Sequence, residues 1–127
     1  MTKILIIEDN ELNLDMLSRR LVRAGFEVVS ATTASGIVER VRAEQPDLIL
    51  MDLGLPDVDG FTATALVRAE PSFAQLPIVA LTAHAMAEDR ERAIAAGCDA
   101  FETKPVDFTG LLTKIRALLA PREMRHG

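Results

Sequence analysis

DLILMDLGLPDVDG, residues 47–60, is the stretch that decides the fold. Leu48, Ile49, Leu50 and Met51 are consecutive large apolar residues with no polar face between them. Such a run reads as a strand covered on both sides, at the centre of a parallel sheet. We place this strand at 47–51. It runs into Asp52, a carboxylate that is costly to leave at the end of a central strand without a partner. Residues 53–60 hold one proline and two glycines and form a loop, and Asp59 stands where it caps a helix over about 61–69.

Outward from this unit the same pattern repeats. Upstream, Lys3–Ile7 is a short β-branched apolar run, followed by Asn10 as a cap and by Leu14, Leu17, Leu21 and Ala24 at helical spacing up to Gly25. A second strand covers Glu27–Ala31. Thr33 is the expected cap of a helix over about 34–44, whose inner face is Ala34, Ile37, Val38 and Val41, with Pro46 separating it from the central strand. Downstream, Pro77 opens a strand at Ile78–Thr82, an alanine-rich charged helix covers about 86–96 and ends at Gly97, and a short strand lies at 99–102. The last helix, about 107–120, carries Phe108, Leu111, Leu112, Ile115, Leu118 and Leu119 on one face, and Pro121 is expected to stop it. Strands alternating with helices imply an α/β, doubly wound parallel sheet with helices on both faces. We expect one domain over 1–120, a short tail over 121–127 and no output domain.

Four of the apolar runs end in polar residues: ILII in Glu8 and Asp9, LILM in Asp52, IVAL in Thr82, and the stretch at Phe101 in Lys104. The carboxyl ends of parallel strands open on one crevice. The topology therefore gathers three carboxylates, a hydroxyl and an ammonium from nearly the whole chain. Acids packed so closely repel one another, and a divalent cation together with the lysine balances them. The chemistry implied is the handling of a phosphoryl group. Taken singly, these residues have plainer readings. Glu8 and Asp9 suit the start of a helix, Thr82 suits a turn, and Lys104 suits a solvated surface.

Composition narrows the classes. A chain of 127 residues with 49% hydrophobic and 26% charged residues is an ordinary globular domain. Its net charge of −5, without any basic stripe, argues against nucleic acid as a partner. The single cysteine, Cys98, excludes an internal disulfide and reads as a small core residue. His84 and His126 are too few and too far apart for a zinc site. Asp57, Asp59 and Gly60 match only a fragment of a calcium loop. The first apolar run is too short for a signal peptide or a membrane span, so a cytoplasmic location is expected.

Four motifs, IIEDN (6–10), DLILMDLGLPDVDG (47–60), LTA (81–83) and FETKP (101–105), stand each at the end of its own strand. In this order they resemble the response-regulator receiver domain of two-component systems, from Lys3 to about Leu119. The EDN, LMD and KP segments look most similar to stand-alone receivers of cell-cycle and cell-division phosphorelays. The resemblance implies a flavodoxin-like (βα)5 sheet of order 2-1-3-4-5. It implies Asp52 as the phosphoacceptor, taking phosphorus from a histidine kinase or a histidine phosphotransfer protein. It implies Mg²⁺ (with Mn²⁺ able to substitute) on Asp9, Asp52 and the Gly54 carbonyl, with Glu8 acting through water. Lys104 would pair with one phosphoryl oxygen, Thr82 would donate to another, and the bond before Pro105 would be cis.

The same resemblance implies a two-state switch in which Thr82 moves and an aromatic residue on the fifth strand turns inward. That position is Phe101, in a chain without tyrosine. The phenylalanine has no hydroxyl to bond the neighbouring loop, and we expect a less sharply two-state switch. A downstream protein partner is expected on the fourth helix, fifth strand and fifth helix, where Glu88, Arg90, Glu91 and Arg92 lie, and a kinase near Asn10, Glu11, Asn13 and Leu14. We expect a monomer or weak dimer. Gly54, with no side chain, and His84, two residues after Thr82, point to quick self-dephosphorylation. A chemotaxis-type motility role and a small Mg²⁺-dependent aspartyl-phosphate phosphohydrolase are the alternatives. No Gly-rich loop follows the first strand, which disfavours a nucleotide-binding module.

Overall fold

The computed structural model describes residues 1–55, 58–83 and 86–126, excepting the side chains from 121 onward. Its strands are β1 (Lys3–Ile7), β2 (Glu27–Ala31), β3 (Leu48–Asp52), β4 (Ile78–Thr82) and β5 (Ala100–Thr103). They alternate with helices α1 (Glu11–Arg23), α2 (Ile37–Glu44), α3 (Gly60–Arg68), α4 (Ala87–Ala96) and α5 (Phe108–His126). All strand pairs are parallel, in the order β2-β1-β3-β4-β5. Every residue of β3 and β4 is buried, as the two-faced apolar pattern of residues 48–51 requires.

Alternation along the strands divides the interior into two layers. Leu5, Ile7, Ile49, Met51, Ile78, Ala80 and Phe101 face α2, α3 and α4 through Ile37, Val41, Ala63, Val67 and Ala93. On the other side Ile4, Ile6, Leu48, Leu50, Val79 and Leu81 meet Leu17 and Leu21 of α1 and Leu111, Ile115 and Leu119 of α5. Helices thus cover both faces of a doubly wound sheet. The expected caps Asn10 and Asp59 are in place, accepting from the amides of Asn13 at 3.0 Å and Thr62 at 2.8 Å.

Two expected boundaries are wrong, beyond shifts of one residue at other element ends. Helix α2 starts at Ile37 rather than residue 34, behind Gly36 in the left-handed conformation (φ 69°). The Thr33 hydroxyl accepts from the Ser35 amide at 3.1 Å and closes a local turn instead of capping a helix. Serine and threonine favour such side chain-to-backbone turns over helix, and glycine is disfavoured in a helix by its backbone entropy. Helix α5 also continues through Pro121 to His126, where a stop was expected. Proline withdraws one amide donor and crowds one carbonyl; it does not prevent the turn beyond it from remaining helical.

Sequence reasoning assigned no part to Arg68, which holds the end of the sheet remote from the strand carboxyl termini. Its guanidinium donates to the carbonyls of Gly97 (2.9 Å), Phe73 (2.9 Å) and Leu76 (2.6 Å), and to Asp99 Oδ2 at 2.7 Å. Asp99 Oδ2 also accepts from the Ile78 amide at 2.9 Å. One side chain therefore joins the end of α3, the approach to β4, the end of α4 and the entry to β5. Gly97 is left-handed at φ +114°, and a Cβ there would lie 2.5 Å from Arg68 Cγ, so glycine is required twice over. Arg68→Ala is expected to lower the unfolding free energy by roughly 2–4 kcal/mol, because it removes four hydrogen bonds at once, one of them to a carboxylate. Urea titration checks this, and Arg68→Lys should recover less than half of the loss, since an ammonium cannot reproduce the planar fork.

Candidate functional site

The residues at the carboxyl ends of β1, β3, β4 and β5 meet around a cleft of about 380 Å³. Backbone bonds beyond the strand ends fix where the side chains emerge. The Glu8 amide donates to the Ala31 carbonyl at 3.1 Å, Leu53 to Leu81 at 2.9 Å, and Lys104 to Thr82 at 2.7 Å. Asp9, Asp52, Gly54, Thr82 and Lys104 line the cleft, with Asn10, Asn13, Phe61 and Asp89. Helix α3 begins hard against β3: a Cβ on Gly60 would collide with the Asp52 carbonyl oxygen. Only glycine permits this approach.

Charge is the dominant feature of the cleft. Glu8 is fully buried, Asp52 nearly so, and Asp9 exposed. One carboxylate oxygen from each lies within 4.8 Å of the others. Against these three stands Lys104, whose Nζ is 2.8 Å from Glu8 Oε1 and 3.3 Å from Asp52 Oδ2. The Asp52 Oδ1 accepts from the Gly54 amide at 2.9 Å, and Glu8 Oε2 from the Asn10 amide at 3.2 Å. Glu8 Oε1 is within ion-pair distance of the lysine, but the angles are not those of a hydrogen bond, and it accepts none. Burial and the neighbouring Glu8 push the Asp52 carboxyl above its ordinary range, partly opposed by the Gly54 amide. Burial works to lower the pKa of Lys104, but its contact with Glu8 and the charge of Asp52 outweigh that and leave it raised.

The donor set fits a hard divalent cation. It offers carboxylate oxygens only, in number exceeding the local positive charge, and one buried oxygen without a hydrogen-bond donor. Thr82 is buried at the cleft wall. Phe101 is not in the cleft: its ring is buried in the α2–α4 layer, with the Arg90 guanidinium 5.5 Å above it. The Lys104–Pro105 peptide bond is cis. Position 84, where His84 was assigned an influence on phosphoryl lifetime, lies outside the described residues, as does Asp57. Sequence reading missed Asp89 and Phe61. A helix that begins within a few residues of Thr82 must start over the cleft, and the polar residues of its first turn were the available signal.

The fold and this acidic, lysine-bridged crevice define a receiver. A sequence model of the response regulator receiver domain matches residues 4–116, and the chain belongs to that family. It is 34% identical over 120 residues to the polar-differentiation response regulator DivK of Brucella ovis, covering 94% of this chain and 98% of that protein. Among solved structures it is similar to the receiver domain of sensor histidine kinase PA1611 from Pseudomonas aeruginosa PAO1. That likeness has 32% identity, a TM-score of 0.85, and coverage of 93% and 97%; the neighbour carries a magnesium ion coordinated in its active site cleft. The chemotaxis protein CheY4 of Vibrio cholerae is similar at 27% identity and a TM-score of 0.88, covering 94% and 99%. Membership makes this chain a phosphoacceptor signalling protein rather than an enzyme, and the phosphohydrolase alternative falls away. No helix among the described residues is long and apolar enough to cross a membrane.

The raised Asp52 carboxyl has a thermodynamic consequence. A carboxyl whose pKa is higher folded than unfolded binds more protons in the folded state, so stability falls as pH rises through that interval. Without divalent cations, Asp52→Asn is expected to raise Tm at neutral pH by a few degrees, roughly 2–6 °C. The gain should be full above the raised Asp52 pKa and shrink as pH falls into the ordinary carboxylate range. Thermal scans across pH check both the sign and the window.

Proposed function

We propose that Asp52 is the phosphoacceptor of this receiver and that the cleft is its phosphoryl-transfer site. The observation that carries the reading is the pairing of a nearly buried Asp52 with Lys104 at 3.3 Å, beside two further carboxylates. An Asp52 oxygen attacks the phosphorus of a phosphohistidine on a histidine kinase or a phosphotransfer protein. The P–N bond breaks as the new P–O bond forms, and an acyl phosphate results. Lys104, released in part from Asp52, pairs with a phosphoryl oxygen, and the Thr82 hydroxyl donates to another. Glu8, Asp9 and Asp52, with the Gly54 carbonyl, would hold Mg²⁺ or Mn²⁺, which when bound neutralises phosphoryl charge. Positioning and charge compensation supply most of the catalysis in such transfers.

Downstream, Thr82 and Phe101 form the switch, and a partner protein reads the surface of α4, β5 and α5. Asn10 and Asn13 on the cleft rim, with Glu11 and Leu14 beside them, suit donor docking. The likeness to polar-differentiation regulators along almost the full length of both chains supports a role in cell-cycle or cell-division control, and a cytoplasmic location is part of the same reading. The likeness to CheY4 supports motility as the second reading.

Intact mass after incubation with acetyl phosphate and Mg²⁺ tests the acceptor. A gain of about 80 Da, one phosphoryl unit, is expected on the wild type and none on Asp52→Asn, with labelling slowed at least tenfold by Lys104→Ala. An unlabelled wild type, or a fully labelled Asp52→Asn, overturns the assignment. Proteins captured from lysate in the presence of beryllofluoride, with Asp52→Asn as control, separate the cell-cycle role from motility.

Position 54 governs lifetime in this reading. Gly54 has no left-handed φ, and a Cβ built on it would rest 3.7 Å from Asp52 Oδ1, an ordinary contact. Nothing in the backbone demands glycine there, and its bareness leaves the acyl phosphate open to water. Gly54→Leu is therefore expected to lengthen the phosphoryl half-life several-fold, read by the decay of the phosphorylated mass after donor removal.

A further inference from the structure

Helix α4 is anchored differently from the other four. It buries one residue, Ala93, whereas α1, α2, α3 and α5 each bury at least two, mostly larger ones. Ile94 is 62% exposed, and no side chain caps the helix at Met86. The last turn is tied down where Arg68 donates to the Gly97 carbonyl at 2.9 Å; nearer the cleft, in place of apolar burial, two arginines lie on aromatic rings, Arg90 on Phe101 at 5.5 Å and Arg92 on Phe61 at 4.0 Å. Burying one methyl group secures far less than burying a pair of leucines, and cation–π contacts at an exposed surface are weak. The cleft end of α4 is consequently the part of the helical layer that a small change of local charge displaces most readily.

The same helix carries a fixed negative charge into the phosphoryl cleft. Asp89, in its first turn, lines the cleft with Asp52, Thr82 and Lys104. It stands apart from the carboxylate cluster of Glu8, Asp9 and Asp52 that suits a cation. Arg90 and Arg92 do not line the cleft; each lies on an aromatic ring instead. The charge that α4 presents to an incoming phosphoryl group is thus that of Asp89.

We propose that Asp89 is a repulsive sensor of the phosphoryl group, which drives the lightly anchored α4 away from the cleft when Asp52 is modified. This rests on the phosphoacceptor reading and adds to it the residue that converts new charge into movement. Linkage makes the effect reciprocal: a residue repelled by the phosphoryl group also opposes its binding. Removing the Asp89 charge should weaken the response of α4 and tighten the binding of a phosphoryl mimic.

Hydrogen exchange of residues 87–96, with and without beryllofluoride and Mg²⁺, provides the test, accompanied by a ¹⁹F titration of beryllofluoride affinity. In the wild type, beryllofluoride should speed α4 exchange about threefold to tenfold. In Asp89→Asn the change should be less than twofold and the affinity twofold to tenfold higher, while Asp89→Glu should behave as wild type. An Asp89→Asn protein whose α4 responds as fully as the wild type, or that binds beryllofluoride no more tightly, overturns the proposal and leaves the acceptor assignment standing. A wild type that binds no beryllofluoride overturns both.

Discussion

The ion pair of Lys104 with Glu8 and Asp52 is the constraint on which the rest of the structure depends. Two carboxylates taken out of water at the ends of adjacent strands are untenable alone, and the ammonium makes them tolerable. The lysine comes from the far end of the chain, beyond β5, and reaches across β4 to do so. Its position is set by the parallel ladder, through the bond from its own amide to the Thr82 carbonyl. The pair does not satisfy the site completely: three acids face one base, and one buried oxygen of Glu8 accepts no hydrogen bond. A site that is short of positive charge by construction is a site prepared for a cation and for chemistry.

Much of this was legible in the sequence because the period and ends of apolar runs carry topology. Residues 48–51, apolar without interruption, could only be a strand buried on both faces, and Asp52 at their end could only be explained by partners. The cleft residues followed, since parallel strands must deliver their terminal side chains to one edge. The extent of α2 was not legible. Thr33, Ser35 and Gly36 satisfy the rules of a helix start and also those of a turn, and the choice belongs to tertiary packing. The end of α5 failed for a related reason, because a proline near a helix terminus is an argument about one hydrogen bond.

Arg68 was invisible, and Asp89 faint, for a deeper reason. Each acts through residues distant in sequence, and neither occupies a position with a recognisable period or motif. The bonds of Arg68 go to four residues between Phe73 and Asp99, three of them through carbonyl groups that every residue possesses. Asp89 resembles any acid in the first turn of a helix until the folded chain places it over the cleft. Side chains whose meaning lies in the geometry of other backbones leave no trace in a linear pattern.

The placement of the Arg68 clamp has a consequence for how this domain tolerates change. The clamp fastens the floor of the sheet and the far end of α4, while the acidic cleft and the first turn of α4 occupy its roof. The strongest fastening of the fold and its phosphoryl chemistry therefore draw on opposite ends of the same strands. Substitutions at the clamp alter none of the side chains that line the cleft, so the two ends are built from separate residues.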